Sequence, residues 1–137
     1  TVFCPGLREV LHECKNRAIP WGSVTNKPWA FTKPLLAKLH LLEFSACTVC
    51  PDHVKKPKPD PESINLACDL MHVNPARCIY IGDHARDITA GKNAGMRTIA
   101  AHWGYVDNTE DISKWGATWI VKKSQLLRSF LFGTTEC

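Results

Sequence analysis

Apolar side chains along this chain recur at two spacings, and each switch between them marks an element. Leu7, Val10, Leu11 and Cys14 lie three and four apart, the stripe of an amphipathic helix that starts after Pro5 and stops at Asn16-Arg17. Residues 19–24 then predict a short buried strand, closed by the polar turn Thr25-Asn26-Lys27-Pro28. Phe31, Leu35, Leu36 and Leu39 form a second helical stripe, with Thr32 as its N-cap and Pro34 in the first turn, where a missing N–H costs nothing. Residues 44–50 predict a second strand. Prolines 51, 57, 59 and 61 force a loop, after which Asp60 caps a helix that opens at Pro61, buries Ile64, Ala67, Cys68 and Met71, and ends at Asn74-Pro75. Residues 78–81 are a strand of strong β character closing in Gly82-Asp83; residues 87–94 are a short helix stopped by Gly95. A strand at 98–101, a polar loop at 104–114, a strand at 118–121 and a helix at 124–132 capped by Ser124 complete the chain.

Strand and helix therefore alternate, which predicts an α/β fold with a parallel sheet covered by helices on both faces. The 137 residues amount to one domain, and 45% hydrophobic against 22% charged residues suffices for a folded core. No apolar stretch approaches the roughly 20 residues of a membrane span, so no membrane partner is expected. A net charge of +4 is mild, and the lysines at 55, 56 and 58 and at 122 and 123 lack aromatic interleaving, so no nucleic-acid partner is expected. Seven irregularly spaced cysteines, with no basic-then-apolar leader before Pro5-Gly6, predict a reducing, cytoplasmic location. Cys47-Thr48-Val49-Cys50 with His53 has no second CxxC and no HxxxH to complete four ligands, so its cysteines read as strand residues.

In such folds ligands bind beyond the carboxyl ends of the strands. Three groups converge there: Thr25 and Asn26 after the first visible strand, the Lys-rich loop after the second, and Asp83 after the third. They offer a hydroxyl, backbone N–H groups, an ammonium and a carboxylate, an inventory suited to a phosphate held with a divalent cation. Asp83 and Asp87, four apart across a strand end and a first helical turn, are placed to face one ion.

These residues match a family. Val24-Thr25-Asn26-Lys27-Pro28, Lys58-Pro59-Asp60-Pro61, Tyr80-Ile81-Gly82-Asp83-His84-Ala85-Arg86-Asp87-Ile88 and Ala90-Gly91-Lys92-Asn93-Ala94-Gly95-Met96, ending in Gly104-Tyr105, resemble in order and separation the haloacid-dehalogenase (HAD) superfamily. Within it the chain is similar to the phosphoglycolate phosphatase group, including N-acetylmuramic acid 6-phosphate phosphatases. The resemblance implies a three-layer Rossmann-like core and Mg2+-dependent hydrolysis of a small phosphorylated metabolite through an aspartyl phosphate. It implies that Thr25 and the Asn26 N–H bind the phosphoryl group and that Lys58 is the third-motif lysine, with Lys55 and Lys56 accessory or solvated. Asp83 then ligates Mg2+, and Asp87 supports the ion or Lys58. His84 stands where relatives often carry Ser.

One departure dominates. The family's first motif, Asp-x-Asp-x-Thr/Val, supplies the nucleophile and the acid–base carboxylate, and this sequence contains no Asp-x-Asp. The helical cap that selects substrates is missing too. Residues 1–137 are therefore expected to be the C-terminal part of a HAD-like hydrolase core lacking the first-motif strand and the cap, with the nucleophile lost upstream of Thr1. Such a piece is expected to be inactive alone. The alternative is a non-catalytic module, derived from such a core, that binds a phosphate-bearing ligand or a protein. The missing strand would lie between those at 19–24 and 78–81, so these two are expected to lack their shared neighbour.

Overall fold

The computed structural model describes residues 7–38, 46–101, 111–123 and 126–132. Helix α1 (Leu7–Asn16) buries Val10 and Cys14 as its stripe requires. It ends in a Schellman arrangement: Ala18 takes a positive φ of 55° and the Ile19 N–H donates back to the Cys14 carbonyl at 2.8 Å. Ile19 is thus spent on the cap and Pro20 has no N–H to give. Strand β1 consequently covers only Gly22–Val24 rather than 19–24.

Helix α2 (Trp29–Lys38) begins earlier than its apolar stripe suggests. Thr32 is not its N-cap. It lies buried inside the helix, its hydroxyl donating to the Lys27 and Pro28 carbonyls. The cap comes from elsewhere in the chain: Asp52 Oδ1 accepts the Trp29 N–H at 2.8 Å. Pro34 lies inside the helix rather than in its first turn, and Phe31, expected in the buried stripe, is 66% exposed.

Strand β2 (Cys47–Val49) precedes a 3-10 turn, Pro51–His53, and helix α3 (Glu62–Met71). Asp60 does cap α3, accepting the Glu62 N–H at 3.0 Å, with Pro61 one position before the helix. Strand β3 (Ile79–Gly82), helix α4 (Ala85–Asn93) and strand β4 (Arg97–Ala101) follow, with α4 starting two residues before the expected 87. Gly95, at φ 83°, closes α4 as expected, the Met96 N–H donating to the Gly91 carbonyl at 3.0 Å. A 3-10 turn at Ile112–Trp115, strand β5 (Trp119–Val121) and helix α5 (Leu127–Phe132) complete the described chain. The expected cap Ser124 and the Gly104-Tyr105 motif lie outside the described residues.

The strands are all parallel and form two sheets, β1-β2 and β3-β4-β5. Helices cover both faces of the larger sheet. On one face Val10 of α1 and Leu127 of α5 pack with Ile99 and Val121, with Ile81 and Trp119 against the cluster. On the other, α4 approaches so closely that a Cβ on Gly91 would fall 2.7 Å from Thr98 Cγ2. β1 and β3 share no ladder, as the absent first-motif strand leads one to expect. A trans peptide points C=O and the next N–H to opposite sides. The Thr25 N–H faces β2, donating to the Val49 carbonyl at 3.0 Å, so the Val24 carbonyl points away from β2. There it accepts from Tyr80 Oη of β3 at 3.3 Å. A tyrosine side chain plus a hydrogen bond spans roughly two inter-strand spacings of about 4.8 Å. β1 and β3 thus flank a slot bridged by side chains.

Candidate active site

At the carboxyl end of that slot sits Lys58, only 8% exposed. Its Nζ donates to Asp87 Oδ1 at 2.6 Å, to Tyr80 Oη at 3.0 Å and to the Val24 carbonyl at 3.1 Å, three acceptors for three protons. Lys58 comes from the Pro-rich loop, Tyr80 from β3, Val24 from β1 and Asp87 from the first turn of α4. One ammonium therefore ties together four segments that no common ladder joins.

Asp87 is equally committed. Its Oδ2 accepts the Asp83 and His84 N–H groups, each at 3.2 Å, which both caps α4 and fixes the turn leaving β3. Gly82 is required by this close approach: a Cβ there would fall on Asp87 Cβ and lie 2.9 Å from its Cγ and Oδ2. Of the two roles expected for Asp87, partner of Lys58 or partner of an ion, its contacts favour the first.

Asp83 is the carboxylate left open. Its side chain is 48% exposed, with His84 Nε2 3.7 Å from its Oδ1. Mg2+ is held by one or two carboxylates together with waters and substrate phosphate. A solvent-facing hard oxygen beside a buried lysine fits that need. No group of three or more His, Cys, Asp or Glu side chains places a ready-made metal cage among the described residues.

Thr25 is half-buried; its Oγ1 accepts the Lys27 N–H at 3.0 Å, leaving the hydroxyl proton to donate. The Asn26 side chain is engaged elsewhere: Nδ2 donates to the Lys58 carbonyl at 3.0 Å, fastening the lysine loop to the end of β1. Asn26 Oδ1 is buried with no partner among the described residues. Lys55 and Lys56 are exposed, and their backbone N–H groups both donate to Glu62 Oε2 at 2.7 and 2.8 Å. They line an open cleft of about 580 Å3 with His53, Asn65 and Asp69 that does not include Lys58.

The sequence placed Tyr80 in a strand and at the head of the Tyr80–Ile88 motif but assigned it no role in the site. Burial first, then the negative charges of Asp87 and Asp83, push its phenol well above the ordinary range, so it stays neutral. A neutral Oη can accept from Lys58 while donating to Val24. The available signal was its place in the strand, two residues before the Gly82 that yields to Asp87.

A parallel sheet sandwiched by helices, with its polar groups beyond the strands' carboxyl ends, defines a Rossmann-like α/β protein. Residues 1–101 match the haloacid dehalogenase-like hydrolase family, and the chain belongs to it. It is 41% identical over 126 residues to the N-acetylmuramic acid 6-phosphate phosphatase of Pseudomonas putida, covering 92% of this chain and 56% of that one. It is 33% identical over 122 residues to the phosphoglycolate phosphatase of Xylella fastidiosa, covering 89% and 53%. The crystal structure of CbbY from Rhodobacter sphaeroides in complex with phosphate superposes with a TM-score of 0.81 at 24% identity, over 90% of this chain and 55% of that one, a likeness of fold. The chain spans about half the length of the curated relatives it matches. No helix among the described residues is long and apolar enough to cross a membrane.

Proposed function

We propose that this chain supplies the phosphate- and cation-binding half of a Mg2+-dependent phosphomonoesterase acting on a small phosphorylated metabolite of the phosphoglycolate or N-acetylmuramic acid 6-phosphate kind. The observation that carries the reading is Lys58, buried yet anchored by Asp87, Tyr80 and Val24 beside the Thr25 hydroxyl. A solvated loop lysine has no such anchorage.

In this reading the Thr25 hydroxyl and the Asn26 N–H donate to oxygens of the phosphoryl group, and Lys58 neutralises the charge that spreads over them in transfer. Asp87 keeps Lys58 aimed and Tyr80 limits its sway. Asp83 would hold Mg2+, which when bound would supply further neutralisation of the phosphoryl charge. The nucleophilic aspartate, which would form and release an aspartyl phosphate, comes from a segment outside these residues. Asn26 Oδ1, without a partner among the described residues, is a buried acceptor for which such a segment or a ligand would provide the donor.

The reading makes opposite demands on turnover and on binding. The purified 137-residue chain should hydrolyse no p-nitrophenyl phosphate with or without Mg2+. Metal-dependent hydrolysis would overturn the need for an outside nucleophile. In a chain carrying the first-motif segment, Lys58→Met or Thr25→Val should lower kcat by roughly 10²–10³, the usual loss for one preorganised donor. Unchanged kcat in both would remove these residues from the site.

A further inference from the structure

The phosphatase reading gives His84 no part, yet its ring stands against the carboxylate that the reading assigns to the cation. His84 Nε2 and Asp83 Oδ1 are 3.7 Å apart, on side chains each about half exposed. That gap is too long for a hydrogen bond, so neither atom is spent on the other. It is short enough for one ion to touch both: bonds of about 2.1 Å to a carboxylate oxygen and to an imidazole nitrogen can meet whenever the two donors lie within about 4.2 Å. The backbone beneath the pair is held. The Asp83 and His84 N–H groups both donate to Asp87 Oδ2 at 3.2 Å, and Asp87 Oδ1 accepts from Lys58 Nζ at 2.6 Å. Asp87 and Lys58 are buried, so an interior ion pair carries the peptide from which both side chains rise. His84, extended at φ −132° and ψ 153°, is the N-cap residue of α4. The same contacts take Asp87 away from the cation, since each of its oxygens is already engaged. Where the spacing of the sequence predicts two carboxylates facing one ion, the structure sets a carboxylate beside an imidazole.

We propose that His84 is a second cation ligand beside Asp83, and that its nitrogen turns the site from Mg2+ toward a first-row transition ion such as Mn2+. The proposal rests on the reading of Asp83 as a cation ligand and deepens it. Mg2+ is a hard ion that keeps oxygen ligands and gives up water reluctantly, so an imidazole adds little to its hold. Transition ions accept imidazole, and their affinity for a mixed nitrogen and oxygen site rises along the row from Mn2+. Two donors from the chain suffice, because waters and the phosphate of a substrate complete the shell of an ion held this way. A cage of three protein ligands, which the described residues do not offer, is not needed.

Mn2+ is the probe, because it is hard enough to leave the chain's thiols alone and its free ion gives a strong electron-spin resonance signal. It is titrated into the whole reduced chain with inorganic phosphate present, and the free ion is counted from that signal. Competition gives the affinity for Mg2+, and spin-echo modulation of the bound Mn2+ reports any nitrogen coordinated to it. The expected result is saturable binding with the modulation of an imidazole nitrogen. His84→Ser, at an exposed position, should lose that modulation, and its preference for Mn2+ over Mg2+ should fall at least about fivefold, chiefly through weaker Mn2+ binding. Asp83→Asn should weaken both ions. Mn2+ bound without nitrogen modulation, modulation that persists in His84→Ser, or an unchanged preference in that variant would each overturn the role of His84 and leave the reading of Asp83 standing. Failure of the unaltered chain to bind either ion would overturn both.

Discussion

Taking an ammonium and a carboxylate out of water is costly, and Lys58 and Asp87 offset that cost only through each other and the hydrogen bonds around them. Removing one partner leaves the other buried and uncompensated. Lys58→Met should therefore lower unfolding stability by about 3–5 kcal/mol in a urea titration. Asp87→Ala should do the same, and it also removes the acceptor of the Asp83 and His84 N–H groups. Gly82→Ala should cost about 1–3 kcal/mol through overpacking against Asp87. A loss within 0.5 kcal/mol at Gly82 would mean that α4 can retreat from β3. Asp52 gives a pH signature. The Trp29 N–H holds its carboxyl below the ordinary 3.8, so the folded pKa is depressed. Its contribution is fully present above the unfolded value and fades as pH falls through the folded one. The urea midpoint should fall more steeply below about pH 4 in the parent chain than in Asp52→Asn, whose side chain still accepts but does not titrate.

At the scale of elements, the alternation of strand and helix was legible because each has its own apolar period, and Asp60 at the start of α3 and Gly95 at the end of α4 carry their chemistry locally; α3 itself ends at Met71, three residues before the expected Asn74-Pro75, because His72 takes a left-handed φ of 56°. Helix α2 was misread at its start because its cap, Asp52, is 23 residues distant and no local pattern reports it. Strand β1 was read too long because residues 19–20 continue an apolar run that the backbone spends on closing α1. Thr25, Asn26, Lys58, Asp83 and Asp87 were all legible as strand-end residues. Their division of labour was not, since spacing alone cannot tell a carboxylate that faces solvent from one turned onto a lysine. Pro34 offers a test at this scale. It removes the N–H that would donate to the Ala30 carbonyl, so Pro34→Ala should raise stability by about 1–2 kcal/mol, the interior-helix penalty less the freedom regained by the unfolded chain. A lower thermal midpoint would show that the proline ring packs in a way an alanine cannot replace.

Across the molecule, two small parallel sheets meet at a slot that Lys58 and Tyr80 bridge with side chains. Among the described residues each flanking strand has a ladder on one side only, and such edges invite pairing with other chains. The chain should melt over a broad range and self-associate with concentration in sedimentation velocity; a sharp, concentration-independent melt of a monomer would contradict the reading of an open slot. The same slot carries the proposed function, in which the buried lysine at its carboxyl end would help give a phosphoryl group somewhere to bind. That claim is tested most directly by titrating inorganic phosphate into the chain with Mg2+ present and following 31P NMR line width. Saturable binding, weakened at least about tenfold in Lys58→Met, the worth of about 1.4 kcal/mol, is the predicted result. Equal binding by the parent and a folded Lys58→Met chain would contradict it.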